Sequence, residues 1–186
     1  MGKAIQQAAF QVASIITTTG FATVDFNLWP EVSRTILVLL MFVGACAGST
    51  GGGIKVSRFY YPAKSDEERD QAVSASPSDP EIQMDGRVVE HEVVRNVNVF
   101  MVVYIMIFAT SMFVLAFDNL DLITNFTAVA ATFNNIGPGL ELVGPTANFN
   151  VFSDVGKYVL IFDMLAGRLE IFPLLLVFFP DTWRKF

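Results

Sequence analysis

The sequence predicts an all-α integral membrane protein built from repeated units of outer helix, pore helix, filter and inner helix. Three observations carry that prediction. Apolar residues make up 53% of the 186, with 18 Phe, the composition of a chain that meets lipid. The stretch from Ala9 to Gly20 and the stretch from Phe126 to Gly137 repeat each other: each is a short apolar run, then small polar residues, then one glycine. Three long apolar segments accompany them, at Thr35–Tyr61, Val97–Phe117 and Val155–Phe179.

The repeated stretches are too short to cross a bilayer, since a spanning helix needs about 20 apolar residues. Backbone leaves a helix at membrane depth only where it is buried in protein or lines water. A half-membrane helix with a polar, glycine-containing exit is therefore what a pore loop looks like. The candidate filter strands are Thr17-Thr18-Thr19-Gly20-Phe21 and Asn134-Asn135-Ile136-Gly137-Pro138. A dehydrating cation needs a ring of oxygens, which extended backbone supplies as carbonyls. Glycine permits the angles that turn successive carbonyls to one axis, and the negative C-terminal ends of the pore helices favour a cation there. The ion-binding set is then Thr18, Thr19, Gly20 and Phe21 with Asn135, Ile136, Gly137 and Pro138. The same pattern also fits two re-entrant turns that use glycine only for tight packing.

Thr35–Tyr61 is interrupted by Gly44 and by Gly48-Ser49-Thr50-Gly51-Gly52-Gly53. Each glycine costs a helix about 1 kcal/mol relative to alanine. A break beneath a filter is a candidate gate; a kink for close helix packing is the other reading. It is not a phosphate-binding loop, because Lys55 falls one residue late and no Ser or Thr follows it. Val97–Phe117 is a clean spanning segment. Val155–Phe179 carries Asp163, Arg168 and Glu170. A charge near mid-membrane is expensive and faces a bundle interior or an aqueous cavity. Arg168 thus reads either as a positive charge in a permeation path or as a structural ion pair with Asp163 or Glu170. Matching Met41–Gly44 to Met164–Gly167 extends the repeat into the inner helices, with a six-residue insertion around Leu142–Asn150.

Three parts follow: 1–61, a pore unit without its outer helix; 62–95, a polar cytoplasmic loop; and 96–186, a complete pore unit. The loop holds nine acidic side chains against four basic ones, most of the net charge of −6. With the loop inside, eight Lys and Arg lie on the cytoplasmic side and three on the other, as the positive-inside rule requires. The outer mouth then carries Asp25, Glu31, Asp118, Asp121, Glu141 and Asp154, an acidic rim that concentrates cations. No basic face exists for nucleic acid. Single Cys46 and His91 exclude a disulfide framework and a clustered His/Cys metal site. An intramembrane enzyme using Asp163 and Glu170 lacks a nucleophile placed against them, so no enzyme and no resident cofactor are expected.

Taken together, these residues resemble the Trk/Ktr/HKT superfamily of potassium transporters, and within it the bacterial TrkH-type uptake subunits. Ile15–Thr23 is similar to the third filter region of that family and Gly44–Lys55 to its broken third inner helix. Asn134–Gly139 and Gly167-Arg168-Leu169-Glu170 match its fourth filter and fourth inner helix. The resemblance implies four pore units around one path, potassium preferred over sodium, and K⁺ held by filter carbonyls. It further implies gating by Gly48–Gly53 with Arg168 beside them, and multi-pass insertion in the cytoplasmic (inner) membrane. A homodimer and a cytosolic nucleotide-binding regulatory subunit of the TrkA type are the implied partners, besides lipid. Two units and one outer helix of the family pattern are missing, so the chain is expected to be a C-terminal half that needs those units or a second copy. A dimeric two-pore-loop channel subunit and a non-conducting fragment are the alternatives.

Overall fold

The computed structural model describes residues 2–44, 52, 54, 83–84, 87–88 and 91–168. Among them are five α-helices: α1 (Gly2–Ile16), α2 (Glu31–Phe42), α3 (His91–Leu115), α4 (Leu122–Phe133) and α5 (Asp154–Arg168). Two-residue strands, β1 (Gln83–Met84) and β2 (Arg87–Val88), pair antiparallel within the predicted polar loop, a small addition to the all-α expectation. Gly48, Ser49, Thr50, Gly51 and Gly53, Glu170, and most of 62–95 lie outside the described residues.

Among the described residues, α3 with the helical turn that follows it is the helix long and apolar enough to cross a membrane, over Arg95–Asp118. At 1.5 Å per residue its 25 residues extend about 38 Å, whereas the 12 of α4 reach about 18 Å, half a bilayer. The half-membrane length expected of a pore helix is thus realised. α4 starts at Asp121, whose carboxylate accepts from the Thr124 N–H at 2.8 Å, the N-cap geometry that satisfies an orphan donor. Most of its residues are buried, as suits a helix apolar all round. It packs against α2, α3 and α5.

α2 begins after Pro30, earlier than the apolar segment at Thr35, and its Arg34 N–H bonds the Pro30 carbonyl. It stops at Phe42, with Val43 extended as its cap. Val43 then pairs with Ile54 in a parallel bridge, and the Gly44 N–H donates to the Ile54 carbonyl at 3.0 Å. The predicted break therefore starts at Gly44 or just before it. α5 is the counterpart inner helix and runs unbroken through Gly167 to Arg168.

Three apolar clusters hold the elements. Ile15, Phe26, Leu37 and Met41 of the first unit share a core with Ala130, Ile136 and Leu140 of the second. Phe133, Phe100, Tyr104, Ile54 and Ala166 form another behind α4. Leu115, Ala128, Val129, Val143, Phe152 and Leu160 form the third. Phe108 lies 5.8 Å from Phe42 and 5.4 Å from Phe126, ring centre to ring centre, joining α2, α3 and α4 with tilted aromatic contacts.

Candidate functional site: paired helix-terminal turns

The two repeated stretches end in the same backbone geometry, 117 positions apart (Gly20 to Gly137). Thr17 and Asn134 N–H groups donate to the carbonyls four residues back, Ala13 at 3.0 Å and Ala130 at 3.1 Å. Thr18 and Asn135 both take the left-handed conformation, with φ of 53° and 55°. Their N–H groups reach Ile15 and Thr132, and those of Thr19 and Ile136 reach Ser14 and Ala131. Even the side chains agree: Thr17 Oγ1 and Asn134 Nδ2 reach the same Ala13 and Ala130 carbonyls, at 2.7 and 2.8 Å. Gly20 and Gly137 follow at φ of 78° and 115°, angles that an L side chain rarely adopts.

These turns meet. A Cβ built on Gly20 would strike the Ile136 carbonyl oxygen and come 3.5 Å from Pro138 Cδ, and one on Gly137 would lie 3.8 Å from Gly20 Cα. Thr18, Thr19, Asn135, Ile136 and Gly137 line one cavity of about 530 Å³ with Met164 of α5. Phe21 is largely exposed, and its carbonyl accepts from Ser14 Oγ at 2.7 Å. The two segments that sequence repetition pairs are thus neighbours in space.

The inner helices close on these turns through glycine. A Cβ on Gly167 would meet the Phe133 carbonyl, and one on Gly52 the Asn134 carbonyl. Gly52, the one residue of the predicted gate segment that is described, therefore lies directly against the end of α4. Arg168 is the last described residue of α5 and is exposed. Asp163, weighed as its ion-pair partner, turns elsewhere: it is fully buried and Oδ1 accepts from Ser111 Oγ of α3 at 2.7 Å. Oδ2 has no hydrogen-bond partner.

The acidic residues of the predicted rim also make specific local contacts. Arg34 bonds both Glu31 and, at 2.6 Å, Glu141. Asp25 accepts from the Asn27 N–H at 3.0 Å and from Thr146 at 3.3 Å. Asp118 accepts from the Ser153 N–H at 3.1 Å, Asp121 caps α4, and Lys157 pairs with Asp154 at 3.6 Å. Asp25, Asp118 and Asp121 accept only from neutral groups in these bonds and keep their negative charge, while Arg34 and Lys157 bring positive charge to Glu31, Glu141 and Asp154.

Gln11, Ser14, Thr127 and Tyr104 also shape the turns, although no chemistry-bearing motif in the sequence singles them out. Gln11 Nε2 donates to the Val24 carbonyl at 3.1 Å and Ser14 to Phe21, tying the first turn back to α1. Thr127 Oγ1 accepts from the Leu140 N–H at 2.9 Å. Asn135 Nδ2 donates to the Met164 carbonyl at 3.0 Å, and the Tyr104 hydroxyl donates to Asn134 Oδ1 at 2.9 Å. The available signal was polar residues on the inner faces of short apolar helices, where an unpaired group is costly.

Two half-membrane helices that end in paired left-handed turns, backed by a spanning helix and two inner helices, define a membrane protein of the re-entrant pore-loop class. The chain belongs to the TrkH family, described as a cation transport protein, which matches residues 1–185. It is 38% identical over 181 residues to the Trk system potassium uptake protein TrkH of Escherichia coli K12, covering 97% of this chain and 37% of that protein. Identity to the TrkH of Vibrio parahaemolyticus is 40% over 182 residues, covering 98% and 37%. A crystal structure of the potassium transporter TrkH from Vibrio parahaemolyticus superposes with a TM-score of 0.82 at 38% identity, over 97% of this chain and 38% of that one. The chain therefore spans somewhat over a third of the length of the relatives it matches.

Proposed function

We propose that this chain supplies two pore units of a potassium-uptake protein, through which K⁺ moves inward down its electrochemical gradient. The observation that carries the reading is the pairing of the two glycine turns: three matching backbone bonds in each, one shared cavity, and α4 ending on it with its negative pole. Carbonyls of Thr18, Thr19 and Gly20, with Asn135, Ile136, Gly137 and Pro138, replace the water around the ion. Phe21 adds the lone pair that Ser14 leaves.

Below the turns, Gly48, Ser49, Thr50, Gly51, Gly52 and Gly53 gate the path and Arg168 stands beside it. Family membership and the names of the relatives, potassium uptake proteins, support the choice of ion. The working protein adds the remaining pore units, forms a homodimer in the cytoplasmic membrane, and takes a cytosolic nucleotide-binding regulatory subunit. The three parts 1–61, 62–95 and 96–186 are its third-type unit, a cytoplasmic loop and its fourth-type unit.

The test is Rb⁺ uptake by the full-length protein with Gly20→Ser or Gly137→Ser. At Gly20 the new Cβ meets the Ile136 carbonyl; at Gly137 it must be carried at a φ of 115°. Each is expected to cut uptake about tenfold or more, since the strain of 1–3 kcal/mol falls on the coordinating carbonyls. Sodium discrimination is expected to weaken as well. Unchanged uptake and selectivity in both variants would remove the filter assignment.

A further inference from the structure

We propose that Tyr104 of α3 is a positioning residue for ion selection, acting through Asn134 on the backbone of Asn135–Gly137. The inference rests on the reading of that backbone as part of a filter. Tyr104 is 5% exposed and Asn134 is fully buried. The Asn134 amide can sit only one way: the Ala130 carbonyl, 2.8 Å from Nδ2, demands a donor, which leaves Oδ1 for the Tyr104 hydroxyl at 2.9 Å. The Tyr104 ring also lies 4.5 Å from that of Phe133. One side chain of the outer helix thus grips two consecutive residues, Phe133 and Asn134, at the point where α4 gives way to the turn.

The next residue, Asn135, holds φ at 55°, and its side chain bonds the Met164 carbonyl of α5. The turn is thereby fixed from behind by α3 and from the side by α5. In the partner turn, Thr17, the counterpart of Asn134, pairs with Thr19 at 2.7 Å within its own loop. A site of carbonyl oxygens distinguishes ions by how closely those oxygens can approach. Freedom at the root of the turn lets them close on a smaller ion. Removing the hydroxyl leaves Asn134 Oδ1 a buried acceptor without its donor and releases the end of α4 to rotate.

The experiment is the K⁺ over Na⁺ preference of the full-length transporter, measured alongside its thermal unfolding in detergent. Tyr104→Phe keeps the ring and its stacking. It is expected to lower the preference about three- to tenfold, the yield of one lost hydrogen bond, with folding and membrane abundance retained. Asn134→Leu is expected to lower it at least as far, because it also removes the bond to the Ala130 carbonyl, and the double variant to be no less selective than Asn134→Leu alone, because the Tyr104–Asn134 bond is already lost there. A Tyr104→Phe protein that unfolds earlier yet selects as the parent does would make the residue structural and overturn the proposal. So would additive losses in the double variant. Gly137→Ser separates the two readings: if it alters selectivity and Tyr104→Phe does not, only the positioning role fails, and if neither does, both fail.

Discussion

Glu141 shows how a single residue joins the two pore units. Its φ of 52° is a conformation that costs a non-glycine residue about 1–2 kcal/mol. The Asn27 side chain compensates by pairing with both sides of its backbone: Oδ1 accepts from the Glu141 N–H at 3.0 Å and Nδ2 donates to its carbonyl at 3.1 Å. Arg34 takes the carboxylate. Asn27 and Arg34 come from the first unit and Glu141 from the second, so the clasp sets the distance between the loops that follow the two turns. Asn27→Ala is expected to destabilise the fold by about 1 kcal/mol, since it removes two exposed bonds that water replaces in part. A shift of the unfolding midpoint in detergent, compared between Asn27→Ala and Asn27→Asp, checks this; Asp retains the acceptor and is expected to lose less.

At the scale of elements, the helices are set by their ends. α4 owes its start to Asp121, which takes the Thr124 N–H at 2.8 Å and the Thr124 hydroxyl at 2.5 Å. Burial pushes the Asp121 carboxyl up, but the bonds from Thr124 outweigh it and hold the group below the usual aspartate range. A carboxyl held low in the folded state contributes stability that is complete above the ordinary aspartate pKa and lost as pH falls through the lowered value. Unfolding midpoints recorded from neutral to acid pH are therefore expected to show Asp121→Ala about 1 kcal/mol less stable at neutral pH, with the gap to the parent closing toward acid. A gap constant across that range would assign the loss to something other than the charged cap. The inner helices differ at their inner ends for a comparable local reason: α2 stops at Phe42 before Gly44 and the glycine-rich run, whereas the matching residues of α5 continue to Arg168.

Over the whole molecule, apolar side chains that a closed protein would bury remain outside. Val102, Ile105, Met106, Phe113 and Phe117 of α3 and its end are more than half exposed, as are Leu39 of α2 and Ile161 of α5. The outward residues of α3 form an apolar surface, in keeping with a membrane protein of this family, while among the described residues the shared cavity takes its pore-unit walls from two turns. In the four-unit protein proposed above, two units are half of the ring. Purified as it stands and reconstituted in liposomes, this chain is expected to give no Rb⁺ flux above empty vesicles, and co-expression with the remaining units to restore it. Selective flux from the chain alone, at the mass of a dimer in detergent, would instead identify a two-chain channel.

The fold was legible where local chemistry repeats. The Ala9–Gly20 and Phe126–Gly137 pair, α3 as a spanning segment, and the helix break near Gly44 all follow from apolar length, glycine placement and small polar exits, which act within a few residues. Tertiary structure decided what those residues do to one another. It gave the rim carboxylates their caps and clasps, sent Asp163 to Ser111 rather than to Arg168, and set Tyr104 behind Asn134 across 30 positions. The reason is physical. Helix length and backbone angles are dictated by neighbours along the chain, whereas the partner of a buried polar group is whichever donor or acceptor packing brings within 3 Å.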